Sequence, residues 1–165
     1  MSALDKFTIT HENKKYKTIV ASFYKFIKLS DLTKIKMELQ EICNNNNIVG
    51  TILIAPEGLN GTISGNKLAI EKVINFLRND NRFIDLTPKI SFSNNKTFHR
   101  MKVKIKNEIV TMGINNIDPE KISAKFIDAN HWNELISDPD IILLDTRNHY
   151  ETSIGSFKGA ISPST

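Results

Sequence analysis

The segment GTILIAPEGLNGTISG, residues 50–65, constrains the fold most strongly. Two runs rich in β-branched residues flank Pro56, Gly58 and Asn60-Gly61, which favour turns, and this pattern predicts a β-hairpin. A simple hairpin needs only two turn residues. We therefore expect a wide or bulged turn before a strand that starts at Asn60, and we expect the Asn60 side chain to brace that turn. The hairpin is interpreted as structural, with a functional role as the alternative, and its candidate residues are Glu57, Gly58, Asn60 and Gly61.

An amphipathic helix is predicted on each side of the hairpin. Before it, Ser30 is a favourable N-cap, Asp31 suits the first helical turn, and Asn44 begins the polar run that ends the helix. After it, a second helix begins at Gly65 or Asn66. Apolar residues recur at helical spacing in both: Leu32, Ile35, Leu39 and Ile42 in the first, and Ile70, Val73, Ile74 and Leu77 in the second.

Two further segments have the pattern of strands. Residues 18–26 are rich in β-branched and aromatic residues. Within residues 98–106, Met101, Val103 and Ile105 alternate with Lys102, Lys104 and Lys106. The resulting order is βαββαβ over about residues 15–112. It predicts an α+β fold, a ferredoxin-like sandwich in which two helices cover one face of a mainly antiparallel sheet.

The pattern changes after Gly113. Asp118-Pro119 and Asp128 are helix-start signals, and Asp138-Pro139-Asp140 would end a helix. The continuous apolar run 141–144 is typical of a strand buried on both faces of a parallel sheet. Because a parallel sheet needs more strands and crossover helices than the remaining residues supply, residues 113–165 are expected to be a linker and an incomplete α/β domain.

Three segments together resemble one protein family. Residues 50–65, 97–113 (TFHRMKVKIKNEIVTMG) and 132–165 resemble the bacterial tRNA uridine hydroxylases with a rhodanese-like domain, which form 5-hydroxyuridine at the wobble position of tRNA. The resemblance implies that residues 1–112 form an acylphosphatase-like domain of ferredoxin-like fold, and that residues 113–165 begin a truncated rhodanese-like domain.

The resemblance also implies an activity. The reaction would be oxygen-dependent, with molecular oxygen as co-substrate and tRNA as partner. The family's essential cysteine lies further along the rhodanese-like domain, so the present residues are expected to be an inactive N-terminal part with no catalytic residue. The single cysteine, Cys43, falls beside the apolar stripe of the first helix and is expected to be a small buried hydrophobe.

The basic segment, residues 98–106, is the strongest candidate binding site. No acidic residue occurs between Leu86 and Asn107, and this stretch contains six cations: Lys89, Lys96, Arg100, Lys102, Lys104 and Lys106. Lysine and arginine contacts to phosphate supply the salt-dependent part of nucleic-acid affinity, and an aromatic ring or histidine can stack on an unpaired base. Alternatively, the lysines only keep an edge strand soluble. The resemblance favours contact with tRNA, for which the candidate residues are His99, Arg100, Lys102, Lys104 and Lys106.

Two other groups of residues have competing interpretations. Asp145, Arg147 and Glu151 match the opening of a rhodanese-like domain, where they either lie near a ligand or, as we favour, hold loops together by ion pairing. Asn60-Gly61-Thr62 resembles part of acylphosphatase. However, residues 24–31 lack the glycine and arginine of a phosphate loop, which argues against acyl-phosphate hydrolysis.

Composition sets the remaining limits. The net charge of +4 and the pI near 9.1 permit an anionic partner. One cysteine excludes an intramolecular disulfide, the four histidines lack paired metal-ligand spacing, and no haem, flavin or metal signature is visible. The absence of a signal peptide and of a membrane-length apolar run predicts a cytoplasmic protein. The rival functions are a rhodanese-type sulfurtransferase and a protein-interaction or dimerisation module.

Overall fold

The computed structural model describes residues 18–95, 97–109 and 127–163. The described residues up to 109 belong to one compact unit, and those from 127 onward belong to another. The domain boundary expected at residues 112–113, and the helix start expected at Asp118-Pro119, lie outside the described residues. Each unit is considered by itself below.

The first unit is a five-stranded sheet with two helices. Strand order in the sheet is β4-β1-β3-β2-β5. The first four strands are antiparallel to their neighbours, and β5 pairs in parallel with β2. The α+β, ferredoxin-like prediction is therefore confirmed. The elements are β1 Thr18–Phe26, α1 Leu32–Asn45, β2 Val49–Ala55, β3 Gly58–Gly65, α2 Lys67–Arg78, a 3-10 helix Asn81–Phe83, β4 Lys89–Ser93 and β5 Met101–Ile105.

One strand assignment from the sequence was wrong. The βαββαβ order used residues 98–106 as the last strand, but the strand that completes this order is β4, which pairs with β1. β4 was missed although Ile90 and Phe92 alternate with polar residues in it, as the apolar residues of the equally short β5 do. The basic segment instead supplies β5, an additional strand beside β2.

The core lies between the sheet and the two helices. Apolar residues of α1 and α2 pack with alternate residues of β1, β2, β3 and β5, as the helical and strand periodicities predict. The helix-facing residues of the sheet include Ala21, Phe23, Ile52, Ile54, Ile63 and Val103. Cys43 belongs to this cluster and is fully buried. Its burial raises the pKa of the thiol to about 12.

The helix starts were predicted with one error. Asn66 caps α2, because its Oδ1 accepts a hydrogen bond from the Ala69 N–H at 2.9 Å. The N-cap of α1 is Asp31 and not Ser30. The Asp31 carboxylate accepts two hydrogen bonds from Arg82, at 2.6 and 2.9 Å, so it serves a long-range ion pair and not the helix end. These hydrogen bonds from Arg82 lower the pKa of Asp31.

The second unit contains two short helices. They are α3, Ala129–Ser137, and α4, His149–Thr152. Asp128 caps α3 as predicted, accepting hydrogen bonds from the N–H groups of Asn130 and His131, and α3 ends before Asp138. Trp132 on α3 packs against Phe157, with ring centroids 5.2 Å apart.

The buried strand predicted at residues 141–144 is not observed. Leu144 forms an isolated parallel bridge with Ile161, and Ile142 is 73% exposed. A strand of a parallel sheet needs neighbours on both sides and helices over its faces. Within the described residues, this run has one such neighbour, so its apolar side chains remain in contact with solvent.

Candidate nucleic-acid interface

The face of the sheet opposite α1 and α2 is called the open face. Among the described residues, no helix packs on it. Residues of β1, β2 and β3 that alternate with the core residues point to this side, and so do two lysines of β5. The open-face residues used below are Ser22, Tyr24, Thr51, Asn60, Thr62, Lys89, Lys102 and Lys104.

The alternation predicted in the basic segment is confirmed for residues 101–104, whereas Ile105, predicted on the apolar side, is 40% exposed and Lys106 follows the end of the strand. Met101 and Val103 are opposite Gly50 and Ile52 of β2 and pack on the core. Lys102 and Lys104 are opposite Thr51 and Leu53, on the open face. Lys104 is exposed, whereas Lys102 is half-buried. A single strand geometry thus places two ammonium groups on the side of the sheet that the helices leave uncovered.

The remaining candidates of the basic segment flank β5. His99 and Arg100 precede it and are exposed. The Arg100 carbonyl accepts a hydrogen bond from the Gly50 N–H at 3.1 Å, and the Lys106 N–H donates to the Ile54 carbonyl at 2.8 Å, so both ends of β5 are anchored to β2. The structure therefore brings Lys102 and Lys104 together on one face and places Arg100 and Lys106 at the two ends of the same strand.

On the open face, one line of residues that are paired from strand to strand crosses all five strands of the described sheet; it is called the register row. It begins at Lys102 in β5 and ends at Lys89 in β4. At about 4.8 Å between neighbouring strands, the two lysine backbones are about 19 Å apart. Between them lie three hydroxyl side chains: Thr51, Thr62 and Ser22. Ser22 and Thr62 share a hydrogen bond of 3.0 Å. The row combines cations at both edges with hydrogen-bonding groups in the middle.

Carboxylates are scarce near this row. None of the five strands contains an aspartate or glutamate. Within the described residues, none of the ion pairs involves a cation of the basic segment. Asp85, in the loop before β4, pairs with Lys25, whose hydrogen bond lowers the pKa of Asp85. The open face therefore has a positive potential suited to an anionic ligand.

The hairpin has a tight connection, contrary to the expected wide or bulged turn. Pro56 and Glu57 alone form the loop, since Ala55 pairs with Gly58. Asn60 lies inside β3 and does not start it. Gly58 has a φ of +148°, and a Cβ there would lie 2.1 Å from the Lys25 carbonyl oxygen. Gly61 lies against Phe23, whose ring atoms would be 2.8 Å from a Cβ. Both glycines are therefore required by close packing.

The polar groups of the hairpin bind neighbouring backbone segments. The Glu57 and Pro56 carbonyls each accept a hydrogen bond of 2.9 Å, from the Ile27 and Leu29 N–H groups respectively. The Glu57 carboxylate accepts from the Ile109 N–H at 2.7 Å. The Asn60 Nδ2 donates to the Ile109 carbonyl at 3.3 Å, and not to the turn as expected. The turn residues that a simple hairpin would not need therefore bind two other segments: the one after β1, at Ile27 and Leu29, and the one after β5, at Ile109.

Asp145 and Arg147 of the second unit bind each other. Arg147 donates to both carboxylate oxygens of Asp145, at 2.9 and 2.6 Å, and also to the Gly155 carbonyl at 2.7 Å. Ser156 Oγ donates to Asp145 at 2.6 Å. The hydrogen bonds from Arg147 and Ser156 hold the pKa of Asp145 far below its usual range. Glu151 accepts a hydrogen bond from the Asn148 N–H in the capping box of α4. The hydrogen bond to Asp145 raises the pKa of Arg147, and the negative charge of Glu151 helps to raise it.

In residues 18–95, 97–109 and 127–163, side chains of His, Cys, Asp and Glu form no cluster of three or more that could hold a metal ion. The helices in these ranges are too short or too polar for any of them to cross a membrane.

One residue of the open face, Tyr24, was missed from the sequence. The ring of Tyr24 is 58% exposed. The available signal was the alternation in β1, where Ser22 and Tyr24 alternate with the buried residues Ala21 and Phe23. Lys89 was noted as a cation, but the strand that carries it, β4, was missed.

Residues 18–109 match the family described as the UPF0176 acylphosphatase like domain. The chain belongs to this family. It is also 46% identical over 147 residues to the tRNA uridine(34) hydroxylase of Acaryochloris marina, which confirms the resemblance inferred from the sequence. The match covers 89% of this chain and 47% of that protein, so the chain spans about half the length of this relative.

Two solved structures are similar to the chain at low sequence identity. A bacterial light-regulated adenylyl cyclase is 18% identical, with a TM-score of 0.48, over 63% of this chain and 32% of that one. An acylphosphatase from Coxiella burnetii is 7% identical, with a TM-score of 0.39, over 58% of this chain and 100% of that one. Likeness at this level carries no functional argument.

Proposed function

We propose that this protein takes part in the hydroxylation of uridine in tRNA, and that its first unit binds the tRNA. The observation that carries the proposal is the 46% identity to a protein named tRNA uridine(34) hydroxylase. The open face supports it, because Lys102 and Lys104 lie on a helix-free surface whose strands contain no carboxylate. Such a surface attracts a polyanion without having to break internal ion pairs first.

The role of the basic segment would be to neutralise phosphates. Each lysine or arginine that contacts a phosphate releases condensed counterions, so affinity falls as salt rises. Phosphate contacts position a nucleic acid but carry no sequence information directly. The cations Arg100, Lys102, Lys104 and Lys106 would therefore hold tRNA at this surface, and selection of the uridine would depend on other contacts.

The chemistry would be the oxygen-dependent replacement of the hydrogen on C5 of uridine by a hydroxyl group, with molecular oxygen as co-substrate. We place the reaction in the cytoplasm, where tRNA is found. Residues 1–165 alone should not carry it out if a reactive cysteine is required. Their one thiol, Cys43, is buried and has a pKa raised to about 12, so it is protonated and inaccessible at neutral pH.

Titration of the chain with unmodified tRNA at several salt concentrations tests the binding proposal. We expect affinity to fall steeply with salt, and the Lys102→Glu/Lys104→Glu variant to weaken binding and reduce the salt slope by about two. Lys34→Glu/Lys72→Glu is the matched control, since it makes the same charge change at exposed positions on the two helices. Equal losses in both variants would point to net charge alone and would overturn the proposed interface.

A second candidate function is supported by the position of β5. This strand lies at an edge of the described sheet, and lysines on edge strands prevent pairing between molecules. If that is their only role, the Lys102→Glu/Lys104→Glu variant will stay soluble and bind tRNA as the unchanged chain does, because glutamate also protects an edge.

Thiosulfate-dependent sulfur transfer by the full-length protein, without hydroxylated uridine, would instead identify a sulfurtransferase.

A further inference from the structure

We propose that the open face binds one unpaired RNA base, stacked on Tyr24, in the cleft that lies along β1. The inference rests on the proposed function and deepens it: the basic segment would hold phosphates, and this cleft would hold a base. It concerns residues outside the basic segment and can be tested separately from phosphate binding.

The cleft has the size and lining that a base requires. Its volume is about 550 Å³, and its lining includes Ser22, Tyr24, Phe26, Asn60 and Lys89. Tyr24 is 58% exposed, although its strand neighbours Ala21 and Phe23 are buried. Phe26 contacts the Tyr24 ring edge-on, with centroids 6.2 Å apart, and so restricts its orientation. An exposed aromatic ring held in place is a platform on which a base can stack.

Polar groups in the cleft suit the edge of a base. The Asn60 amide group donates to the Ile109 carbonyl, which fixes the side chain. Among the described residues, the Asn60 Oδ1 has no hydrogen-bond partner, and it can accept from an imino or amino group. Ser22 already shares a hydrogen bond with Thr62, and its hydroxyl can join a second one. The cleft thus offers hydrogen bonds beside the ring.

Charge connects the cleft with the basic segment. Lys89 lines the cleft and ends the register row that begins at Lys102. A strand of RNA that crosses the sheet would meet a cation at each edge and Tyr24 between them. Asp85 also lines the cleft, but Lys25 compensates its charge. Cationic side chains at both edges of the sheet would therefore complement the phosphates of an RNA strand that crosses it.

These features favour single-stranded RNA over a protein or a second copy of the chain. A protein interface of stable size has an extended apolar centre. Here the exposed aromatic ring is surrounded by hydroxyls, an amide and lysines. Paired RNA would present phosphates to the lysines but would keep its bases inside the helix, away from Tyr24.

The test compares Tyr24→Ala and Tyr24→Phe in the full 165-residue chain. The probes are a short oligouridylate and the duplex that it forms with its complement. We expect Tyr24→Ala to weaken binding of the single strand about tenfold, with an unchanged salt slope and unchanged binding of the duplex. Tyr24→Phe retains the ring and should bind as the unchanged chain does. Tyr150→Ala, which removes an exposed tyrosine of the second unit, is the matched control.

A second readout locates the contact. Oligouridylate with one 5-iodouridine should cross-link to Tyr24 on irradiation, as found by mass spectrometry of the digested protein. If Tyr24→Ala binds the single strand normally while Lys102→Glu/Lys104→Glu binds weakly, the base site is wrong and the phosphate interface stands. If no RNA binds the unchanged chain, both fail. Self-association that Tyr24→Ala abolishes would assign the face to a second copy and would overturn the inference.

Discussion

The hairpin and the basic segment are adjacent in the sheet, yet they use their polar side chains in opposite ways. Glu57 and Asn60 both make hydrogen bonds to the backbone of Ile109. Lys102 and Lys104 have no ion pair within the described residues. Both regions are polar, but only the second has charges available to a ligand. Whether a polar group is already bonded inside the fold is therefore a better criterion than residue type for choosing candidate binding residues.

The loop of the second unit resembles the hairpin in this respect. Asp145, Arg147 and Glu151 are each bonded to other groups of the same loop or helix cap. Their contacts are those of residues that hold a loop together, which was the preferred interpretation of the sequence. A ligand at this loop would have to compete with the bidentate Asp145–Arg147 pair.

The largest expected effect is a loss of stability on substitution in the hairpin. Gly58→Ala should destabilise the first unit by about 3 kcal/mol or more, because it combines an unfavourable φ with a Cβ that overlaps the Lys25 carbonyl. Urea unfolding followed by circular dichroism measures this loss. Gly155→Ala is the control, since a Cβ there meets nothing within 4 Å. Equal stability of the two variants would show that the hairpin tolerates a different path.

The next effect separates binding from stability. Lys102→Glu/Lys104→Glu should lower tRNA affinity by about one to two orders of magnitude at low salt. The free energy of unfolding should change by less than about 0.5 kcal/mol, because surface substitutions that break no contact have small effects. Binding and urea titrations on the same preparations check both. A loss of stability comparable to the loss of affinity would mean that the lysines are structural, like the hairpin residues.

For the Glu57 carboxylate of the hairpin we expect the reverse: a moderate loss of stability and no loss of tRNA affinity. Glu57→Ala removes the acceptor for the Ile109 N–H, a buried residue, and should cost about 1–3 kcal/mol of stability. Glu57→Gln keeps an acceptor oxygen and should cost less. Thermal unfolding measures the difference. The tRNA affinity of Glu57→Gln should stay unchanged, and a marked loss of binding would place the hairpin among the ligand contacts.

The smallest effect concerns pH and the loop of the second unit. The pKa of Asp145 is lowered in the folded state by hydrogen bonds from Arg147 and Ser156. Its stabilising contribution is therefore present above the unfolded pKa of about 3.9 and is lost as pH falls below that value toward the folded pKa. The carboxyl ¹³C shift of Asp145, followed by NMR, should titrate well below pH 3.9. Arg147→Lys, which removes the bidentate geometry, should bring the midpoint closer to 3.9.

The elements that depend on neighbours in sequence were predicted well. Apolar periodicity located α1 and α2, and alternation separated Lys102 and Lys104 from Met101 and Val103, because both patterns repeat within a few residues. β4 has the same alternation and the same length as β5, but it was not recognised as a strand. The position of Lys89 at the far edge of the open face was therefore not predicted.

Contacts between residues far apart in the sequence leave no local pattern from which they could be predicted. Nothing near Asp31 in the sequence indicates that its carboxylate binds Arg82, which is 51 positions away. Likewise, Glu57 and Ile109 are 52 positions apart, so the reason for the surplus turn residues became visible only when the chain was folded. The candidate site was predicted as a basic segment, whereas its extension to Tyr24 depends on strand order.

Because β5 pairs in parallel with the distant β2, we expect the cationic surface to form late in folding. Met101 is opposite Gly50, with the second half of the hairpin, α2 and β4 between them in the chain, and pairings between such distant residues form slowly because a long loop must close first. A nascent or partly folded molecule would carry the same lysines without aligning them on one face. High affinity for RNA would then require the complete sheet. A chain that has not finished folding would bind nucleic acid only weakly.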